Sequence, residues 1–495
     1  MKVLIINKSD SVAVALERIN KGEALEIGAS SVIALEDVEQ GHKIAIKDIK
    51  KGENVIKYGF PIGHATKNIR AGEWVHTHNL ETNLGEILEY EYHPNKVESR
   101  YERCERSFMG YCRKNGRVGV RNEIWIIPTV SCVNRNAELV AVKAKERYGN
   151  VYGIDGIFEF KHPYGCSQLG IDHKNTQRIL ANLVNHPNAG GVLVLGLGCE
   201  NNNVEEFKKV LGDYNPERVK FLVAQEVEDE IEEGVKLIGE LIEYASYFKR
   251  EECPVSELVV GLKCGGSDGF SGITANPLVG VFSDKLISCG GSTVLTEVPE
   301  MFGAETILMD RAKDREVFEK IVRLINDFKE YFMSYNQPVY ENPSPGNKKG
   351  GITTLEEKSL GCVQKGGTSH VVDVLEYAEV VKEKGLNLLS SPGNDMVAST
   401  ALAAAGCQII LFTTGRGTPL GTAVPTIKIS TNSEIYKKKQ HWMDFNAGKL
   451  LEGKAIEELA DELMDYVIKV ASGMPTKAET LGFREIAIFK NGVTL

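Results

Sequence analysis

From Gly110 onward the chain repeats one pattern: an apolar run breaks off at a glycine or polar loop, and a helical stretch follows. The runs are IWIIPTV, GGVLVLGLG, VKFLVA and ELVVGLKCGG, and helical spacing is expected over 137–148, 204–211 and 228–247. Short apolar runs bounded by glycine suit strands buried on both faces, and helices between them imply parallel pairing. The pattern therefore predicts an α/β fold, with two domains built on largely parallel, Rossmann-like sheets. Ligands of such sheets lie outside the C-terminal ends of the strands. The loops richest in reactive side chains fall at those ends.

Residues 1–93 read differently. Short alternating segments (VIALEDV, HKIAIKDI, NVIKYGFPIG, EWVHTHNL) are parted by turn signals at Gly41, Gly52, Gly63 and Gly72, which predicts a small β-rich domain. Residues 94–108 are charged and nearly free of aliphatics, as a linker is. The stretch KREECPVSE interrupts regular structure near Arg250, so the remainder divides into 109–250 and 251–495. In the last part, a long helix ending near Tyr335 is followed by ENPSPGNKKGGITTLEEKSLGC, which is expected to wrap the surface or line a site. Further helices are expected over 396–405 and 455–471.

Composition narrows the function. At 495 residues, 42% hydrophobic and 25% charged, the chain reads as a globular protein of about two to four domains. No apolar run approaches a membrane span, and MKVLIINKSD lacks the features of a signal peptide, so no membrane partner and a cytoplasmic location are expected. A net charge of -10, without a basic stripe, argues against nucleic acid. The composition leaves a homo-oligomer open. Ten cysteines with no CxxC spacing do not read as a disulfide framework, so reduced thiols are expected.

Four of those cysteines stand in glycine-rich turns: Cys166 in YGCSQLG, Cys199 in LGLGCENNN, Cys264 in LKCGGSDGFSGITANP and Cys362 in SLGCVQKGG. Structural cysteines usually lie inside strands or helices as small apolar groups. Thiols offered at polar turns point to a site assembled from distant segments, with a metal as the natural centre. Cys132, Cys289 and Cys407 sit nearer apolar runs and are expected in the core, while Cys104, Cys112 and Cys253 receive no role.

Other groups join them. His76 and His78 in VHTHN are expected on one face of a strand, a bidentate start for Zn, Fe or Mn, with His64 as a weaker companion. KHPYGCSQLGIDHKN gathers His162, Tyr164, Cys166, Asp172 and His173, candidates for acid/base work beside a metal thiolate; Lys365 is a further catalytic candidate. VLVLGLGCENNN begins like a dinucleotide fingerprint but has Asn201 in place of the third glycine, so nicotinamide binding is rejected. Ser267, Asp268 and Asn276, amid glycines, can meet an anion or a polyol. Asn394 and Asp395 stand just before a helix, and Arg416 between glycines is shaped for a carboxylate, which adds three more substrate-binding candidates.

With these residues in view, the chain resembles the altronate/galactarate dehydratase family along essentially its whole length, and its altronate branch more closely. The resemblance rests on NVIKYGFPIG, GVRNEIWIIPTVSCVN, HPYGCSQLG, NHPNAGGVLVLGLGCENN, CGGSDGFSGITANP, LTEVPEMFGAE, YENPSPGNKKGGITTLEEKSLGC and LLSSPGNDMVASTALAAAGC. It implies an N-terminal SAF (β-clip) domain, then the family's second and C-terminal domains. It also implies a hydro-lyase of hexuronate catabolism that converts altronate to 2-dehydro-3-deoxy-D-gluconate, dependent on Fe²⁺ with Mn²⁺ as a substitute. Galactarate or sulfolactate would be alternative substrates, and a non-catalytic sugar-acid sensor a remote one.

Loss of water from a 2,3-dihydroxy acid needs a base for the C2 proton and an acceptor for the enediolate charge. Two arrangements stay open. In one, mononuclear iron is held with His76 and His78. In the other, Cys166, Cys199 and either Cys362 or Cys264 hold an iron–sulfur cluster with one open iron.

Overall fold

A computed structural model describes residues 2–495 except 29, 86, 96, 98 and 99. Three of those exceptions fall in the expected linker, so that expectation lies partly outside the described residues.

The N-terminal unit is an assembly of short antiparallel strands. One sheet orders Val3–Leu4, Val12–Ala15, Lys43–Ala45 and Trp74–Val75; another orders Asn54–Lys57, Phe60–Ala65 and Leu80–Glu81. Alternate apolar residues such as Ile44, Val55, Ile62 and Val75 point inward, as period-2 patterning requires. The last strand of the first sheet stops at Val75. His76 then opens a turn, its carbonyl accepting from the N–H groups of Asn79 and Leu80. The strand alternation expected for His76 and His78 therefore does not extend to them.

The second unit contains β1 (Glu123–Pro128), α1 (Asn134–Tyr148), β2 (Gly156–Glu159), α2 (Gly170–Val184), β3 (Ala189–Gly196), α3 (Val204–Leu211), β4 (Val219–Val223) and α4 (Glu230–Ser246). The strands are all parallel, in the order β2-β1-β3-β4. Every residue of β1 and β3 is buried, which explains why they read as continuous apolar runs rather than alternating ones.

The third unit is larger. Its strands are β5 (Val259–Cys264), β6 (Ser292–Leu295), β7 (Val371–Leu375), β8 (Leu386–Leu389), β9 (Ile409–Thr414), β10 (Thr426–Ser430) and β11 (Phe445–Asn446). They form one parallel sheet ordered β7-β8-β6-β5-β9-β10-β11. Its longer helices are α5 (Ala275–Ser288), α6 (Arg315–Ser334), α7 (Leu355–Cys362), α8 (Asp395–Ala404) and α9 (Ile456–Ala471). The chain builds outward from β5 to one edge and then returns to build from β9 to the other. The crevice between β5 and β9 is therefore the switch point where this architecture takes ligands. Cys264 is the last residue of β5.

Helices α2 and α8 pack together between the two sheets. A single buried cluster joins Trp125, Val192 and Val194 of the second unit to Val294, Leu402 and Ile410 of the third. The N-terminal unit docks on α7 through Lys43 and Lys57, both fully buried. Lys43 Nζ lies 2.8 Å from one carboxylate oxygen of Glu357 and Lys57 Nζ lies 2.7 Å from the other.

Two expectations about cysteine fail here. Cys104 and Cys289 form a disulfide that ties the segment before the second unit to the end of α5, where only reduced thiols were expected. The core position expected for Cys289 holds, since it is buried in its bonded form. Cys132, expected in the core, is exposed, because β1 ends at Pro128 and the thiol lies beyond the sheet.

Candidate active site

The ends of β5 and β6 and the helix α7 bring three metal-binding side chains together. Cys264 Sγ, Glu300 Oε2 and Cys362 Sγ lie 3.1, 3.2 and 3.4 Å from one another, and all three residues are buried. Among the described residues this is the one group of three His, Cys, Asp or Glu side chains whose donor atoms lie within 4.8 Å of one another. Local structure sets each member. Lys358 and Cys362 are four apart on α7 and so share a face. After β6 the chain turns through Glu297, held at φ 70°, a left-handed conformation that costs a side-chain-bearing residue on the order of 1–3 kcal/mol. That turn starts the short helix carrying Glu300 and directs the Glu297 carboxylate to the Cys264 N–H at 3.0 Å.

Three lysines surround the cluster. Lys358 Nζ pairs with Glu300 at 2.7 Å, and Lys365 Nζ donates to Cys264 Sγ at 3.0 Å. Lys263 Nζ pairs with Glu297 and lies 2.8 Å from Asp395 Oδ1. The electrostatic outcome follows from these contacts. Burial opposes ionisation of Glu300, but Lys358, Lys263 and Lys365 outweigh it and hold its carboxyl well below the usual range. The hydrogen bond from Cys362, helped by Lys365 and Lys358 against the effect of burial, lowers the Cys264 thiol to about 6. Cys362, the donor of that pair, is pushed well up. Burial and the negative charges of Cys264 and Glu300 push Glu297 well up. The site at neutral pH thus holds one thiolate, one firmly ionised carboxylate and three ammonium groups.

Above the cluster lies a cavity of about 800 Å³ whose lining includes Cys264, Glu300, Asn347, Lys358, Asn394 and Asp395. This is the size of a small-molecule site. Gly265 forms part of its wall, and a Cβ there would come within 2.7 Å of Asp395 Oδ2, so only glycine lets that carboxylate approach. The donor set of two sulfurs and one carboxylate oxygen, buried, with Cys264 and Glu300 reached from the cavity, fits a divalent transition metal with room for a further ligand.

The structure gathers Cys264, Cys362, Lys365, Asn394 and Asp395 of the residues singled out from sequence. Asn394 caps α8, accepting from Val397 N at 3.1 Å. Ser267, in the same glycine-rich loop as Cys264, is buried with its hydroxyl unpartnered, and its carbonyl accepts from Asn347 Nδ2 at 2.8 Å. Asp268 and Asn276 are committed to the protein itself. Asp268 accepts from Thr431 Oγ1, Phe270 N, Asn432 Nδ2 and Ser271 Oγ, while Asn276 bridges Gly361 O and Thr413 Oγ1. The glycines of that loop also serve packing. A Cβ on Gly269 would fall 1.9 Å from Gly41 O of the N-terminal unit. Arg416 is exposed and lines a separate cavity of about 310 Å³.

The remaining candidates lie elsewhere. His76 bonds Thr353 Oγ1 at 2.9 Å and stacks on Trp74, and burial together with Lys43 lowers it to about 3. His78 lies against the same indole, largely exposed, and the partial burial of its ring together with Lys67 lowers its pKa. His162 is buried, with Nε2 bonded to Pro128 O at 2.7 Å and Nδ1 accepting from Tyr164 N at 3.2 Å. Asp172 accepts from the backbone N–H groups of Asn491 and Gly492 at 3.1 and 2.6 Å, and so fastens the C-terminal segment to α2. His173 is half-buried, with Nδ1 unpartnered. Cys166 and Cys199 are exposed at the C-terminal side of the second-unit sheet.

Lys263, Glu297, Glu300 and Lys358 are the residues that sequence reasoning missed. The string LTEVPEMFGAE holds both glutamates, but nothing in its spacing shows that a left-handed turn will aim them at Cys264. Lys358 could have been found, as a charge one helical turn before a turn cysteine.

Three family models cover most of the chain. Residues 1–83 match the altronate/galactarate dehydratase SAF domain, 110–246 the D-galactarate dehydratase/altronate hydrolase second domain, and 255–494 the D-galactarate/altronate dehydratase C-terminal domain. The chain is 60% identical over 491 residues to the altronate dehydratase of Bacillus subtilis (strain 168), covering 99% of both chains. It is 55% identical over 495 residues to the altronate dehydratase of Escherichia coli (strain K12), covering 100% of both. Identity to the galactarate dehydratase (L-threo-forming) of Escherichia coli (strain K12) is 35% over 466 residues, 89% of this chain and 87% of that protein.

Proposed function

The chain belongs to the altronate/galactarate dehydratase family, and on that premise we propose that it removes water from D-altronate to give 2-dehydro-3-deoxy-D-gluconate, at the buried Cys264–Glu300–Cys362 cluster. The reading is carried by that cluster, whose Cys264 and Glu300 line a cavity of about 800 Å³, ample for a sugar acid. Altronate is chosen over galactarate because identity to the two altronate dehydratases is 60% and 55%, against 35% to the galactarate enzyme. Eight cysteines remain free thiols, in keeping with a cytosolic enzyme.

Cys264, Glu300 and Cys362 would hold one Fe²⁺, or Mn²⁺ in its place, which supplies a Lewis acid for the charge that develops when C2 loses its proton. The chain's own groups do the rest. Cys362 and Lys365 favour the thiolate of Cys264, and Lys358 keeps Glu300 ionised and presents positive charge to the substrate carboxylate. Asp395, on the cavity wall and anchored by Lys263, takes the C2 proton on a carboxylate oxygen. The hydroxyl on C3 departs as water with a proton from Lys348, the lining ammonium that has no ion pair among the described residues. The enol so formed tautomerises to the 2-keto acid. Asn394 and Asn347 line the cavity where they can meet the sugar hydroxyls.

The test is anaerobic incubation of the Fe²⁺-loaded chain with D-altronate, galactarate and sulfolactate in parallel, with 2-keto acid and sulfite measured. Formation of 2-dehydro-3-deoxy-D-gluconate from altronate at least ~10-fold faster than product from either other acid is expected. Preference for galactarate or release of sulfite would overturn the substrate assignment.

A further inference from the structure

The second unit gathers cations at the end of its sheet where β3 and β4 begin, a group that the mechanism does not use. The chain there encloses a cavity of about 360 Å³ whose lining includes Arg113, Lys114, Pro187, Arg218, Tyr244 and Phe248. None of the residues lining it also lines the active-site cavity. Its size is that of a small-molecule site.

The two arginines are held in place by neutral groups. Arg113 is buried, and donates through Nε to Pro187 O, through Nη1 to Asn122 Oδ1 and through Nη2 to Arg121 O, each at 2.8 Å. Asn122 is fixed in turn, its Nδ2 donating to Gly153 O and Ala245 O at 2.7 and 2.9 Å. A Cβ on Gly190 would lie 2.1 Å from Asn122 Oδ1, so only glycine lets that amide reach the arginine. The Phe248 ring lies 5.2 Å from the Arg113 guanidinium. Arg218 donates through Nε to Ala189 O at 3.2 Å and through Nη2 to His186 O at 2.9 Å. Its Nη1 has no hydrogen-bond partner among the described residues and is not sealed off by them.

Charge decides the class of ligand. Among the described residues neither arginine forms an ion pair, and neither does Arg117, which donates to Asn185 O on the same loop at 3.0 Å. Lys114 pairs at the surface with Glu217 at 3.0 Å, and Asp213, the carboxylate of the lining, pairs with none of these cations. Helix α2 ends at Val184, just before that loop, and its terminus offsets only about half a charge. Burial and the charge of Arg218 lower Arg113 to about 9, and burial chiefly lowers Arg218 to about 10, so both stay charged at neutral pH. Buried charges without a counter-ion are costly, and an anion in this cavity would supply the one that the chain does not. We propose that the cavity lined by Arg113, Lys114 and Arg218 binds a phosphate dianion, free or as the monoester of a small organic molecule. Phosphate carries about −1.5 to −2 at pH 7, which matches two guanidiniums better than a single carboxylate does. The planar fork of Arg218, open at Nη1, suits its oxygens, and Tyr244 and Phe248 offer an ester's organic body an aromatic wall. The site goes beyond the function proposed above, which rests on other residues.

The test is calorimetric titration of the full chain, without added metal, by inorganic phosphate and by glycerol 3-phosphate at constant ionic strength. Wild type, R218Q, K114Q and K348Q are compared, the last altering the active-site cavity instead. Wild type and K348Q are expected to bind one phosphate per chain with equal affinity. R218Q should bind at least ~10-fold more weakly with its circular dichroism unchanged. K114Q, at an exposed position, should bind at least ~2-fold more weakly. Tighter binding of glycerol 3-phosphate identifies a monoester as the ligand and tighter binding of inorganic phosphate the free ion, and both uphold the site. Should R218Q lose its native circular dichroism, K114Q decides alone. Wild type that binds neither probe at ~10 mM, weaker than any specific site, would overturn the proposal. So would full affinity in K114Q, or a loss in K348Q as large as that in R218Q.

Discussion

Glu300 is the residue on which the proposed chemistry turns. Its carboxylate faces both thiols through one oxygen and Lys358 through the other. Asp395 stands on the cavity wall, its carboxylate held by Lys263, and among the described residues no hydrogen bond joins it to a member of the trio. The two should therefore separate in experiment. Asp395→Asn is expected to lower kcat by ~10²-fold or more, as loss of a general base does, with bound metal unchanged. Metal analysis beside initial rates checks this, and loss of the metal together with the rate would show that Asp395 holds the centre rather than serving as the base. Sequence made Cys264, Cys362, Lys365 and Asp395 legible because a reactive group in a glycine turn is unusual on its face. Glu300 was not legible. An acidic residue in a loop looks solvated until the fold shows what lies opposite it. His162 shows the reverse error, since a histidine in a loop of reactive residues proves to be locked by a carbonyl and a backbone N–H.

At the scale of elements, α7 couples the N-terminal unit to the site. One face of this helix presents Lys358 and Cys362 to Glu300, while Glu357 receives Lys43 and Lys57 from the N-terminal unit. Burial opposes ionisation of Glu357, but the two ammonium groups outweigh it and lower its pKa to about 2, against 4.5 when exposed. A carboxylate depressed in the folded state stabilises fully above the unfolded value and loses that contribution as pH falls through the folded one. The docking contribution should therefore be complete above pH 4.5 and decline toward pH 2. Glu357→Gln leaves two buried ammonium groups short of a counter-ion and is expected to cost on the order of 3–5 kcal/mol. The combined K43M/E357L/K57M variant should recover much of that loss. Urea unfolding measures both, and a triple variant as unstable as E357Q would refute the charge argument. The strand–helix rhythm made the elements of the second and third units readable from sequence, with α3 expected over its observed residues. The docking was not readable, because Lys43, Lys57 and Glu357 come from segments 300 or more positions apart.

Across the whole molecule, the second and third units share one buried cluster, and His186 sits at their seam. Its ring stacks on Trp125 at 5.4 Å, and Nε2 donates to Cys407 O at 3.2 Å across the boundary. Burial and the nearby Arg117 lower its pKa from 6.5 to about 3. The unfolded chain takes up a proton below pH 6.5 that the folded one refuses until about pH 3. Stability should therefore fall with decreasing pH across that window, by about 1.4 kcal/mol per pH unit from this group alone. Replacement of His186 by Gln should flatten the slope by one proton's worth, and an unchanged slope would assign the effect to other groups.

The central claim, that the metal held by Cys264, Glu300 and Cys362 is the one that turns over altronate, is tested most directly by Fe²⁺ titration. Chelator-treated wild type and Glu300→Gln are followed by 2-keto acid formation from D-altronate under anaerobic conditions. The wild type should recover with added Fe²⁺, while the variant stays at least ~10²-fold slower at every concentration. Recovery of the wild-type rate by Glu300→Gln would contradict the account.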